Sequence, residues 1–209
     1  MTPPPTTALL LNAFWPRLSR AQEALLVVGA SLFVALCAQI SVPLPFTPVP
    51  VTGQTFAVLF LAATLGARRS AAALILYLAE GVAGMPVFAP GGAPGAARLA
   101  GPTAGYLLAF PLAAFVLGWL VENWLDTAGR RSVWRWLVAV LTAQAIIYAG
   151  GVSWLKLLGL AAGQAGALSW PQAIALGLTP FLPGVALKAA LLSLCLPAGW
   201  WAVERRART

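Results

Sequence analysis

The stretch 24–67 carries no ionised side chain, and the stretches 99–121 and 136–155 are equally clean. A helix needs ~20 predominantly apolar residues to cross the hydrocarbon core of a bilayer, and there every backbone amide must find its partner within the chain. Runs of this kind read as membrane-spanning helices. Composition points the same way: 60% of the 209 residues are apolar and 9% charged, whereas a soluble domain carries roughly a quarter charged residues. The length suits about six such helices, in a single membrane domain, 1–209. Residues 2–7 are polar and proline-rich and run into the first span without a small-residue cleavage pattern, so the N-terminus does not read as a removable signal.

The expected class is an all-α integral membrane protein with spans at about 22–41, 53–67, 70–83, 103–124, 133–151 and 183–203. The second and third are short for full crossings, and such segments persist where neighbouring irregular backbone is buried in protein or lines a cavity. Basic residues set the orientation. With both termini cytoplasmic, Arg17, Arg20, Arg68, Arg69, Arg130, Arg131, Arg135, Arg205, Arg206 and Arg208 fall inside, while only Arg98 and Lys156 fall outside. Ten against two is a strong positive-inside bias. Five or seven helices would scatter these clusters over both faces. The stretch 156–178 is apolar enough to cross, yet Gly159, Gly163, Gly166, Pro171 and Gly177 interrupt it, and it reads as an outer re-entrant or interfacial segment. Pro183 then opens the last helix, at a position where its missing N–H is tolerated.

These positions exclude several functions. The net charge of +8 lies in membrane flanks, with no basic stripe suited to nucleic acid. Cys37 and Cys195 fall within spans and read as packing residues. The chain has no histidine, which removes the commonest general base and a usual zinc ligand.

The polar information collects near the outer ends of the spans. In the first outer loop, 41–52, Pro43, Pro45, Pro48 and Pro50 hold the backbone extended. That suits either a stiff connector or a preorganised lid. The second outer loop, 84–102, is rich in glycine and proline around Phe88 and Arg98. It suits either a flexible surface loop or one whose bare backbone approaches a ligand, with Arg98 shaped for a carboxylate. Glu80 and Lys188 are charges within spans, where each costs roughly 2.5–3.5 kcal/mol on insertion scales. Lys188, roughly 7 Å below the start of its helix, either snorkels outward or faces a polar ligand. Tyr77, Glu80, Gly81 and Gly84 share one helix face, Gln144 and Tyr148 share another, and Gln54 begins the second helix. All of these can converge on one outer cavity, mostly apolar with a few polar contacts.

Three motifs carry a family resemblance. The first is Ser41-Val42-Pro43-Leu44-Pro45-Phe46-Thr47-Pro48-Val49-Pro50-Val51-Thr52-Gly53-Gln54-Thr55. The second runs from Tyr77-Leu78-Ala79-Glu80-Gly81 through Gly84-Met85-Pro86-Val87-Phe88-Ala89 to Gly101-Pro102-Thr103-Ala104-Gly105-Tyr106-Leu107. The third is Pro180-Phe181-Leu182-Pro183-Gly184, with Lys188 following. Together they cover about residues 22–200, and the chain resembles the BioY-type substrate-binding subunits, the biotin-specific S components of energy-coupling-factor transporters.

The resemblance implies six membrane helices, an outer-facing pocket under the first loop, and capture of biotin for ATP-driven import. It implies a transmembrane coupling subunit and cytoplasmic ATPases as partners, in the bacterial inner membrane. It implies no catalysis and no cofactor beyond biotin as cargo, and the chain has no glycine-rich nucleotide loop of its own. The candidate ligand set is Gln54, Tyr77, Glu80, Pro86, Val87, Phe88, Arg98, Tyr106, Tyr148 and Lys188. Arg98 or Gln54 is expected on the carboxylate, and Lys188 with Glu80 on the ureido ring. In the family an aspartate commonly follows Pro-Gly; here Val185 stands there, and Glu80 is the expected substitute. Ser31, Ala35 and Ala38 form a small-residue stripe suited either to packing within the bundle or to the coupling subunit. The competing functions are an autonomous permease for another vitamin, which needs a continuous polar path, and a membrane enzyme, which needs a nucleophile or acid cluster.

Overall fold

The computed structural model describes residues 18–125, 132–161 and 168–206. The expectations made for 2–7, Arg17, Arg130, Arg131, Gly163, Gly166 and Arg208 lie outside the described residues. Helix α1 (Arg20–Gln39) opens on a capping box, in which Ser19 accepts from the Gln22 amide and the Gln22 side chain accepts from the Ser19 amide. A two-residue antiparallel ladder follows, with β1 (Ser41–Val42) against β2 (Val51–Thr52) in the register Ser41↔Thr52 and Val42↔Val51. The next pair in register would be Pro43 and Pro50, which have no N–H to donate, so the ladder stops there. The expected all-α fold therefore contains one short β-hairpin.

Helices α2 (Gln54–Leu65) and α3 (Ala67–Val82) are joined by Gly66 alone. Its φ of 84° lies in the left-handed region, where a side chain would be strained. This one-residue reversal is sealed by the Glu122 carboxylate, which accepts from the Ala67 amide at 3.0 Å. Helix α3 begins at Ala67, before the expected start at 70, so Arg68 and Arg69 belong to its first turn.

Helix α4 (Ala104–Asn123) packs on α5 (Val133–Ala161). Helix α5, expected to end at 151, runs on to Ala161 and carries Lys156 within it. Glycine in a helix costs only about 1 kcal/mol against alanine, and here Gly150 and Gly151 let α4 approach closely. A Cβ at Gly151 would fall on the Tyr106 ring, and one at Gly150 would lie 2.9 Å from the Gly105 carbonyl oxygen. The stretch 156–178 is thus not one interfacial element. It is the end of α5 and, after the residues outside the description, a short helix α6 (Trp170–Gly177) with its own Ser169–Gln172 capping box. A 3-10 turn, Thr179–Phe181, leads into α7 (Leu182–Arg206).

Among the described residues, four helical stretches are long and apolar enough to cross a membrane: Arg20–Gln39, Ala104–Asn123, Val133–Leu158 and Trp170–Ala198. Their outward residues suit lipid, as α1 shows with Leu25, Val28, Leu32 and Leu36 exposed. At one end of the bundle Arg69 of α3 pairs with Glu23 of α1 at 2.7 Å. The hairpin, the 84–102 loop and α6 gather at the other.

Candidate ligand-binding cavity

Beneath the hairpin and the 84–102 loop, and closed by α2, α4, α5, the 179–181 turn and α7, lies a cavity of ≈ 80 Å³. Its roof is the hairpin, which contributes Val49, Pro50, Val51 and Thr52. The loop rests on α6 through Thr47, whose hydroxyl donates to the Leu176 carbonyl at 2.7 Å.

One wall is the loop 84–102, fastened from several sides. The Met85 amide donates to the Glu80 carbonyl at 3.1 Å, and the Tyr77 hydroxyl donates to the Val87 carbonyl at 3.2 Å. The Gln39 side chain donates to the Phe88 carbonyl at 3.4 Å, and Arg98 donates to that of Ala89. The Phe88 ring stands edge-on to Tyr77, with centroids 5.5 Å apart, and lies across Gly81, where a Cβ would fall on the ring. The Arg98 guanidinium sits 5.9 Å from the Phe88 centroid, a cation–π distance. Residues 95–100 form a 3-10 turn that presents Arg98 inward, 8% exposed, with its Nε unpartnered. Burial draws the guanidinium's pKa below its ordinary value, and nearby Tyr77 opposes that shift. An arginine nevertheless stays protonated.

The opposite wall is aromatic. Tyr106 of α4 meets Tyr148 of α5 edge-on at 6.1 Å, and Tyr148 meets Phe181 at 6.0 Å. Phe110 and Leu107 of α4 join this wall. From α7, Lys188 reaches the cavity and donates to the Thr55 hydroxyl at 2.6 Å. Among the described residues neither Arg98 nor Lys188 has a carboxylate within ion-pair distance. The cavity is therefore an apolar, aromatic slot with two cations and hydroxyls from Thr52, Thr55 and Thr103. Such a set accommodates a small ring-bearing anion.

The expected residues fall into three groups. Gln54, Phe88, Arg98, Tyr106, Tyr148 and Lys188 line the cavity. Tyr77 and Val87 are buried immediately behind it. Gln54 is also engaged there, donating to the Tyr77 hydroxyl at 2.6 Å and accepting from Thr52 at 3.1 Å, so it braces the wall instead of offering a free group. Pro86 and Glu80 do not line the cavity.

The expected Glu80–Lys188 partnership is corrected. Glu80 turns toward α1 and accepts from Ser31 at 3.0 Å, while Lys188 is on Thr55. Of the two readings of the small-residue stripe, the structure favours packing within the bundle: Ser31 and Ala38 are 0% exposed and Ala35 9%. The stripe packs against the bundle's own helices. Sequence reasoning missed Thr52, Thr55, Thr103, Phe110 and Phe181 as lining residues. Thr52 and Thr55 flank Gln54, and that adjacency was the available signal.

A family model described as the BioY family matches residues 10–205. The chain is 33% identical over 180 residues to the "Biotin transporter BioY" of Rhizobium etli, covering 85% of this chain and 91% of that one. It is 36% identical over 174 residues to the "Probable biotin transporter BioY" of Pyrococcus horikoshii, covering 82% and 91%. A solved crystal structure, the S component for biotin from an ECF-type ABC transporter, superposes with a TM-score of 0.72 over 87% of this chain and 94% of that one. At 22% identity this last likeness speaks to the fold.

Proposed function

The chain belongs to the BioY family, and on that premise we propose that it is the substrate-binding subunit of a biotin uptake transporter. It is a transport protein and not an enzyme. In this reading it is a single domain in a bacterial inner membrane, with α1, α2, α3, α4, α5 and α7 as its six spans. Both termini face the cytoplasm, where the arginine-rich end of the bundle lies, and the cavity faces outward. Import then requires a transmembrane coupling subunit and cytoplasmic ATPases, because the chain has no nucleotide loop.

The observation that carries this reading is the aromatic cavity holding two cations that have no acidic partner among the described residues. Biotin presents a carboxylate, an apolar chain and ring, and a urea whose carbonyl is a strong acceptor. Arg98 is the better carboxylate partner, since its Nε is unengaged and its fork matches two oxygens. Gln54 has both amide atoms committed. Lys188, held on Thr55, suits the urea carbonyl. Phe88 and the Tyr106–Tyr148–Phe181 cluster enclose the apolar middle.

Isothermal titration of the detergent-purified protein tests the proposal. Biotin is expected to bind at one site, with thiamine and riboflavin silent. Binding of either control with equal affinity, or no heat with biotin, overturns it.

A further inference from the structure

The hairpin loop is fastened by one hydroxyl, and the sequence explains why. Leu176 lies in the last turn of α6, where its carbonyl would ordinarily accept from the amide four residues on. That residue is Pro180, which has no N–H. The orphaned carbonyl accepts instead from Thr47 Oγ1 at 2.7 Å. Thr47 Oγ1 in turn accepts from the Val49 amide at 3.3 Å, and Val49 is part of the cavity roof.

The neighbouring carbonyl completes the arrangement. Gly177 accepts from the Tyr106 hydroxyl at 2.6 Å, and Tyr106 is cavity wall. Two consecutive carbonyls at the end of α6 thus tie roof and wall to one small helix. That helix is itself anchored by its capping box and by Lys156 of α5, 5.1 Å from the Trp170 ring centroid. Among the described residues, no other hydrogen bond joins residues 43–50 to another element. The four prolines explain this, since they have removed half of the loop's backbone donors.

We propose that Thr47 is the latch of the cavity. Releasing Leu176 lets the stiff loop 43–50 lift for ligand to pass, and re-forming the bond returns Val49 and Pro50 to the roof. Thr47 is a positioning residue and touches no ligand. The inference rests on reading the cavity as a ligand site.

Stopped-flow association and dissociation of biotin test it on the wild type, Thr47→Val and Thr47→Ser. Valine keeps the shape and removes the hydroxyl. Losing one hydrogen bond corresponds to about a fivefold change, so Thr47→Val should raise both rate constants about fivefold and leave Kd within twofold. Thr47→Ser should behave as wild type. A change in dissociation alone would make Thr47 an ordinary wall residue and overturn the latch, as would serine matching valine. Hydrogen exchange without ligand gives an independent reading. The Thr47 and Val49 amides should exchange several-fold faster in Thr47→Val with exchange in the membrane-spanning helices unchanged, and equal exchange overturns the latch. Absence of biotin binding to the wild type would instead overturn the proposed function, with exchange still deciding the latch.

Discussion

The two loops that enclose the cavity are held in opposite ways. Residues 43–50 are stiffened by proline and leave their neighbours through a single side-chain bond, Thr47 to Leu176. Residues 84–102 are rich in glycine, and their carbonyls at Val87, Phe88 and Ala89 are met by Tyr77, Gln39 and Arg98 in turn. Proline removes donors, so a loop built from it keeps its shape while staying loosely attached. Glycine removes side chains, so a loop built from it can lie close enough to be stitched down. One loop is therefore suited to move as a unit and the other to stay as a platform.

The sharpest way to break this contrast is to unpin the platform at its cation. Arg98→Ala removes the donor to Ala89 and the proposed carboxylate partner together. Truncating one side of a buried, hydrogen-bonded charge pair costs ~2–5 kcal/mol, so biotin affinity measured by titration should fall about a hundredfold. Arg98→Lys should recover only part of this, because a point charge cannot serve the Ala89 carbonyl and a carboxylate at once. An Arg98→Ala protein that binds as wild type would show that the platform needs no cation.

Gly81→Ala comes next. The added methyl falls where the Phe88 ring lies, and overpacking of this kind typically costs ~1–3 kcal/mol. Biotin binding should weaken about tenfold, and the melting temperature should drop. The corresponding change on the other loop, Val49→Ile, adds a methylene to a buried position on a segment held by a single side-chain bond to its neighbours, which can shift to accept it, and should change affinity less. Tyr77→Phe is milder again. It removes the hydroxyl that joins Gln54 to the Val87 carbonyl. A hydrogen bond contributes ~1 kcal/mol net, so affinity should fall about fivefold while the T-shaped packing on Phe88 survives. If Tyr77→Phe proved as damaging as Arg98→Ala, the platform would be held by that one hydroxyl, and the contrast with the roof would disappear.

Much of the platform was legible in the sequence. Tyr77, Gly81 and Phe88 share a motif, Arg98 stands out as the basic residue of the loop that follows, and helical spacing puts Tyr77 and Gly81 on one face. What spacing could not give was depth. Whether Gln54 and Tyr77 touch ligand or stand behind those that do depends on a rotation of α2 and α3 set by the bundle. The latch was invisible for a different reason: Thr47 and Leu176 are far apart in the chain, and only the missing N–H of Pro180 hinted that the carbonyl needed a partner. Helix α5 runs ten residues past its expected end at 151, because Gly150 and Gly151 act within it as a packing surface against Gly105 and Tyr106, a contact that lies far off in the sequence.

The smallest effect is expected at Glu80, the residue whose charge within a helix most invited a role in binding. Its side chain belongs to the α1–α3 seam, where Oε1 accepts from Ser31 at 3.0 Å. Its contribution to the platform is made by the backbone, whose carbonyl accepts from the Met85 amide at 3.1 Å. Glu80→Gln retains both: a glutamine carbonyl still accepts from Ser31, and the main chain is unchanged. Biotin affinity should stay within twofold of wild type, whereas Glu80→Leu, which removes the cross-helix acceptor and leaves the Ser31 hydroxyl only the Val28 carbonyl of its own helix, should lower the melting temperature by no more than the loss of one hydrogen bond. A tenfold loss of affinity in Glu80→Gln with normal stability would place the carboxylate in the ligand's path after all. It would mean that α3 turns toward Lys188 when ligand binds, making the platform a moving part like the roof.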